Sequence, residues 1–382
     1  MKIKNWFNVI ILIVGLVLIM SSCVMKRGNG LSNPKKLKPT TAPSKVIPVE
    51  KNILSAKSTF NDEGKRVYDE ICKSITTLDK ALALNEAVSV DDLKKIVEAI
   101  QTDNPEFFWF ENYSWVTVNG SQNADSIEFK YNCNNQQKQQ KQKLIDEYYG
   151  RFSSGLTNNM SDYDKVKYTH DYIIKNTDYL ANPDDQNISS VFIDGKSVCA
   201  GYSRATQYLL NKIGITNSYV SGEAINRGSH AWNIVIVEGE CYYLDVTWDD
   251  PTFTGMKDPN FISYNYFCIT TKELLKTHEI GENLIQFPKC VATRNNYFVK
   301  ENLYFTRMDD TDVENLKAIM SESVNNGDST FVTKYASLAL ANEALSQFTK
   351  IFDSPGTTLN YSIDKENFTL VLFLNGGEDQ AG

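Results

Sequence analysis

The sequence predicts an α+β fold in which a helix carrying a cysteine packs on an antiparallel sheet. Residues 199–214 place Cys199 at the head of a segment in which Ala205, Tyr208, Leu209 and Ile213 keep a helical period up to Gly214. The runs "SHAWNIVIV" and "ECYYLDVTW" that follow are β-branched and aromatic, and read as strands. Around this core the patterning predicts a helical-plus-hairpin N-terminal region and a small α/β C-terminal unit. A length of 382 residues suits two or three domains. The boundaries fall at 1–22, 23–52, 53–155, 156–285 and 290–375.

Residues 1–22 read as an export signal. Lys2 and Lys4 precede an apolar run from Phe7 to Met20, too short for a comfortable span. It ends in "LIMSSC", which resembles the bacterial lipobox, where the cysteine, here Cys23, is lipidated and becomes the mature N-terminus. The competing reading is an uncleaved N-terminal anchor. Either way the body lies outside the cytoplasm and is held to a membrane. Residues 23–52 are rich in Lys, Pro, Ser and Thr and read as a flexible tether. Residues 26–51 carry seven Lys/Arg and one Glu, a net +6, which can touch anionic headgroups. The whole chain is −8, and taking away this +6 and the charges of Lys2 and Lys4 leaves residues 52–382 with −16. An acidic body excludes nucleic acid as a partner.

In the region 53–155, Val67, Ile71, Ile75 and Leu78 fall at helical spacing. "SVDD" at 89 caps a second segment with Leu93, Ile96, Val97 and Ile100, so residues of about 55–102 read as a helical region of two segments. "YSWVTVNG" and "SIEFKY" predict a hairpin around Asn119 and Gly120. The Gln/Lys-rich stretch 134–148 reads as a solvated helix. Ser161 caps a third helix, with Tyr163, Val166, His170, Ile173 and Ile174 on one stripe, which makes His170 a packed histidine. Beyond 290, "YFVKENLYF" reads as strand-like, followed by a helix at 311–324, a strand "TFVTKY", a helix at 339–352 and a last strand "FTLVLFL".

The seven cysteines stand at 23, 72, 133, 199, 241, 268 and 290. No CxxC spacing points to a metal, and no cofactor motif is present. With Cys23 lipidated, six remain in an oxidising compartment, where disulfides are possible. Cys199 differs in sitting in the first turn of a helix, with Gly201 allowing a tight turn. The helix dipole and unspent N–H groups there favour a thiolate and would stabilise an oxyanion.

A base is available in His230, in "SHAWNIVIV". With the two-residue loop "EG" at 238–239, Val237 pairs Glu240, and Asp245 falls opposite Trp232. His230 and Asp245 then share a face as diagonal neighbours, roughly 7–8 Å apart along the backbone. An odd-length loop would put them on opposite faces. Cys199, His230 and Asp245 thus supply nucleophile, base and orienter.

"VCAGYSRATQYLLNKIGI", "HAWNIVIVEGECYYLDVTWDDP" and "YNYFCIT" followed by His278 resemble the transglutaminase-like superfamily in its bacterial secreted or lipoprotein branch. "YTHDYIIKNTDYL" resembles its lead-in, and "NPEFFWF" a companion segment. The resemblance covers about residues 160–280. It implies a papain-like α/β fold with Cys199 as nucleophile, His230 as base and Asp245 as orienter. Trp248, Asp249, Asp250 and Pro251 match the trailing motif and read as turn-forming and packing residues. No calcium site carries over. Tyr202, Trp232 and Trp248 are candidates for an oxyanion donor or a substrate-cleft wall.

The expected activity is acyl transfer or hydrolysis on protein or peptide amides at the cell surface, without a cofactor. The alternative is a non-enzymatic surface lipoprotein that uses the fold to bind a protein or a wall polymer.

Overall fold

The computed structural model describes residues 53–117, 121–254, 261–351 and 360–374. The expected export signal, Cys23 and the tether 23–52 lie outside these residues, as does the hairpin turn at Asn119 and Gly120. Among the described residues no helix is long and apolar enough to cross a membrane. The chain forms two units, Ile47–Glu301 and one built from Asn302–Gly382.

The first unit begins with helix α1 (Asp62–Thr77), started by the Asn61 side chain accepting from the Gly64 N–H, with Val67, Ile71 and Ile75 buried. Strand β1 (Ala81–Ser89) follows. Its last residue, Ser89, caps α2 (Val90–Asp103), whose Leu93, Ile96, Val97 and Ile100 are buried. Strands β2 (Phe110–Val116) and β3 (Asn123–Tyr131) complete an antiparallel sheet of order β1-β3-β2. The two helical segments expected within 55–102 are α1 and α2, but the residues between them form a strand that the sequence reading did not include. Leu78 adopts the left-handed conformation (φ 58) and ends α1, and β3 then recruits the next residues as a strand.

Helix α3 (Asn135–Ser153) opens with a capping box between Asn134 and Gln137. Its solvated Gln/Lys face belongs to the first turns only, because Ile145, Tyr148 and Phe152 are buried. Helix α4 (Asp162–Lys175) starts with Ser161 in a second capping box. Strands β4 (Asp178–Tyr179) and β5 (Lys196–Ser197) pair in parallel just before helix α5 (Cys199–Lys212).

The central sheet has the order β8-β7-β6-β9, from β6 (Asn217–Ala224), β7 (Gly228–Val237), β8 (Glu240–Leu244) and β9 (His278–Ile280). Both faces are covered, which explains the nearly unbroken apolar run of β7. Val235, Val237, Tyr242 and Leu244 join the large core shared with the helices. Trp232, Ile234, Cys241 and Tyr243 join a second core on the opposite face. Helix α5 packs on the first of these faces, where Asn233 Nδ2 donates to the Ser203 carbonyl at 3.0 Å.

Gly201 lies inside α5, so its role is not the tight turn expected from the sequence. A Cβ there would fall 2.0 Å from Ser197 Oγ, 2.7 Å from Ser190 Oγ and 2.8 Å from the Asp185 carbonyl oxygen. Glycine thus lets the first turn of α5 press against the strand and loop before it. Gly201→Ala is expected to lower folding stability by about 1–3 kcal/mol. A urea midpoint equal to wild type would show that these neighbours yield freely.

The second unit holds a sheet of order β10-β11-β13-β12, from β10 (Tyr304–Phe305), β11 (Thr330–Tyr335), β12 (Asn360–Asp364) and β13 (Thr369–Phe373). Helices α6 (Asp310–Asn326) and α7 (Leu338–Ile351) bury Leu316, Met320, Ala341, Ala344 and Phe348 in its core. Instead of one strand, "YFVKENLYF" forms a helical turn, Tyr297–Lys300, and then the two-residue β10, because Asn302 turns left-handed (φ 58) between them.

Candidate active site

Four neighbouring parts of the first unit deliver the site. Cys199 is the first residue of α5, and Val198 before it provides no side-chain cap, so first-turn N–H groups stay available. His230 is near the start of β7, where it pairs across β6 with Gly222. His278 on β9 pairs with Ala224, on the other side of β6. Gly222 and Ala224 are two residues apart on one strand, so the two imidazoles share a face. Asp245 continues β8 beyond Leu244. The β7–β8 register runs from Val237–Glu240 to Asn233–Leu244 through a two-residue turn, with Glu238 at φ 51 and Gly239 at φ 81. That even loop brings Asp245 to the face of His230.

His230 Nε2 and Asp245 Oδ2 lie 2.7 Å apart. The Cys199 thiol is the other polar neighbour of the His230 ring and helps to raise its pKa. Exposure falls along the row: Cys199 is partly exposed, His230 is 7 % exposed and Asp245 1 %. Of the three, the sulfur is thus the group open to solvent, and the carboxylate is sealed from it.

All four of the strongest acceptor directions on Asp245 are used. Oδ2 also faces His278 Nε2 at 3.1 Å, and Oδ1 accepts the N–H groups of Thr247 (3.0 Å) and Trp248 (3.1 Å) in a tight turn. Burial would raise the Asp245 pKa, but the His230 charge and the bonds from both imidazoles outweigh it and hold the group well below the usual carboxylate range. Burial acts on His230 in the opposite sense, lowering its pKa. The Asp245 charge and the Cys199 contact prevail and raise it to about 10. His230 therefore carries a proton at neutral pH, and its positive charge lies beside the sulfur.

The rings of Trp232 (5.8 Å), Trp248 (5.6 Å) and His278 (5.4 Å) surround His230. His278 is fixed in turn by Thr277 Oγ1, 2.8 Å from its Nδ1. The sequence signalled His278 only as a neighbour in a motif, because two strands, β7 and β6, lie between β9 and the strand that leads into Asp245. A second residue lacked any signal. The Tyr179 hydroxyl accepts the backbone N–H of Cys199, one of the first-turn amides.

One of the candidates for donor or cleft wall, Tyr202, is corrected. The Tyr202 hydroxyl donates to Asp250 Oδ2 (2.6 Å) with the Thr177 carbonyl at 2.9 Å, and the side chain is fully buried, so it has no proton to offer a substrate. Trp232 is also fully buried and acts as a wall behind His230. Trp248 keeps an edge 7 % exposed, with the Arg227 guanidinium 4.9 Å over its ring. Asp249 takes no place near the sulfur. It is buried with His170, Nε2 to Oδ2 3.2 Å, and His170 Nδ1 faces Asp171 Oδ1 at 2.9 Å. His170 on α4 is thus the packed, hydrogen-bonded histidine that its place on the apolar stripe predicts.

The ligand atoms of His230, Asp245 and His278 lie within 4.8 Å of one another and could take a divalent metal. Such an ion would have to displace both imidazole protons that now satisfy Asp245.

Fold and site together define a papain-like α+β protein with a thiol, an imidazole and a carboxylate in a row. Residues 151–247 match the family described as the Transglutaminase-like superfamily. Similar solved structures include a TGase, 16% identical over 44% of this chain and 50% of that one, with a TM-score of 0.26. The periplasmic domain of TgpA from Pseudomonas aeruginosa is another, 18% identical over 30% and 46%, with a TM-score of 0.21. The chain thus spans about half the length of these structures. No curated protein matches it significantly.

Proposed function

We propose that the chain is a cysteine-dependent acyltransferase or hydrolase acting on amides of proteins or peptides, held at the cell surface through Cys23. What carries the reading is His230, whose polar neighbours are a partly exposed thiol and a fully hydrogen-bonded carboxylate. The Cys199 thiolate attacks an amide carbonyl, and the oxyanion is met by first-turn N–H groups once the Tyr179 hydroxyl gives way. His230 hands its proton to the departing nitrogen, leaving a thioester on Cys199. Water or a lysine amine then attacks the thioester, and His230 takes up the proton released.

The test is alkylation of the purified chain with iodoacetamide at pH 7, followed by peptide mapping. Cys199 is expected to label first, and His230→Ala to slow that step by roughly 30-fold, since an unassisted thiol is only a few per cent ionised there. Labelling of Cys199 no faster than Cys72 overturns the reading and leaves the surface-binding alternative. Mass spectrometry of surface extracts separates the outcomes of the thioester: Gln–Lys isopeptides, deamidated glutamine or new chain termini. Anchoring is tested by Cys23→Ser, which should move the protein from the membrane fraction to the medium.

A further inference from the structure

Among the described residues the free thiols are Cys72, Cys133, Cys199, Cys241, Cys268 and Cys290. Cys241 and Cys290 are neighbours, each close enough to perturb the other's thiol, and Cys290 Sγ also lies 3.7 Å from the Pro288 carbonyl oxygen. The backbone explains the contact. Tyr243 bridges Ile269 in antiparallel fashion, with N–H to carbonyl distances of 2.9 Å both ways. Two residues further along each chain, Cys241 lies opposite Thr271. Thr271 holds Cys290 twice, its N–H donating to the Cys290 carbonyl at 2.9 Å and its Oγ1 accepting the Cys290 N–H at 2.8 Å. Both sulfurs enter the same core, whereas Cys268 turns into the other one.

We propose that Cys241 and Cys290 are a disulfide site, a covalent staple between β8 and the segment that follows β9. Forming the S–S bond removes one proton from each thiol and two electrons from the pair. A disulfide-class oxidant, such as oxidised glutathione or a thiol–disulfide oxidoreductase, takes the electrons and leaves as two thiols. Cys241 is 8 % exposed and Cys290 1 %, so Cys241 forms the mixed disulfide and Cys290 resolves it. The staple ties the strand that leads into Asp245 to the segment that follows His278. It serves the site without including Cys199, and it stands or falls independently of any activity.

The full chain is equilibrated with oxidised and reduced glutathione, trapped with N-ethylmaleimide under denaturing conditions, digested and mapped by mass spectrometry. The expected result is a Cys241–Cys290 linked peptide, with Cys72, Cys133 and Cys268 alkylated. Reduction is expected to lower the melting temperature on the order of 10 °C. In Cys290→Ser the melting temperature should no longer respond to reductant. Maleimide on both Cys241 and Cys290, or linkage of either to a different cysteine, overturns the proposal. The wild-type map decides this even if Cys290→Ser does not fold.

Discussion

Asp245→Asn is expected to cut amide turnover by about 10⁴-fold while leaving the fold nearly intact, the size seen when a triad carboxylate becomes an amide. The side chains are isosteric, and the Asn oxygen would still accept the N–H groups of Thr247 and Trp248. The damage is confined to Oδ2, which in the native chain accepts from His230 and His278 together. An Nδ2 amide group placed there would confront two imidazole donors with a third donor. His230 must then shift its proton to the nitrogen facing Cys199, where it can no longer accept one. The carboxylate that raises the His230 pKa to about 10 is also lost, while the burial that lowers it remains. Imidazole becomes neutral at pH 7, and iodoacetamide labelling of Cys199 should fall with turnover. His278→Asn makes a graded comparison. It removes one of four donors to Asp245, an effect of about 1–2 kcal/mol, or roughly 10-fold in rate. Turnover and labelling followed from pH 5 to 10 would check both variants. Wild-type labelling in Asp245→Asn would mean the imidazole is charged by some other group.

The part of this site that the sequence made legible is the part set by local rules. A two-residue loop fixes strand parity, so the shared face of His230 and Asp245 follows from "EG" once two strands are recognised. The capping signals at Ser89 and Ser161 are equally local and mark real helix starts. Illegible features depend on partners far away in the chain. Residues 81–89, "ALALNEAVS", are rich in helix formers and lie between two helices, yet β3 draws them into a sheet. His278 reaches Asp245 only because β9 joins the far edge of β6, a pairing no nearby residue announces. Tyr202 looked available because its helix position beside Cys199 is legible, whereas its claim by Asp250 is not.

Asp249→Ala is expected to cost about 3–5 kcal/mol of stability, among the largest single losses in the first unit, although Asp249 is no part of the Cys199–His230–Asp245 row. The carboxylate is fully buried and accepts from His170 Nε2 and from the Tyr266 N–H, and its own N–H reaches the Asp245 carbonyl. Alanine leaves a buried imidazole and a buried amide without acceptors, and unfastens α4 from the turn that positions Asp245. The pair also predicts a pH response. Burial lowers the His170 pKa, but Asp171 and Asp249 outweigh it and raise it above the ordinary histidine value. A raised folded value stabilises fully below the unfolded pKa of about 6.5. That contribution is lost as pH rises through the folded value. His230, raised to about 10, acts in the same direction. The melting temperature should thus decline from pH 6.5 toward pH 10, and decline less in His170→Gln. Calorimetry across that range measures both slopes. A flat wild-type profile would show that neither histidine keeps its proton in the folded chain.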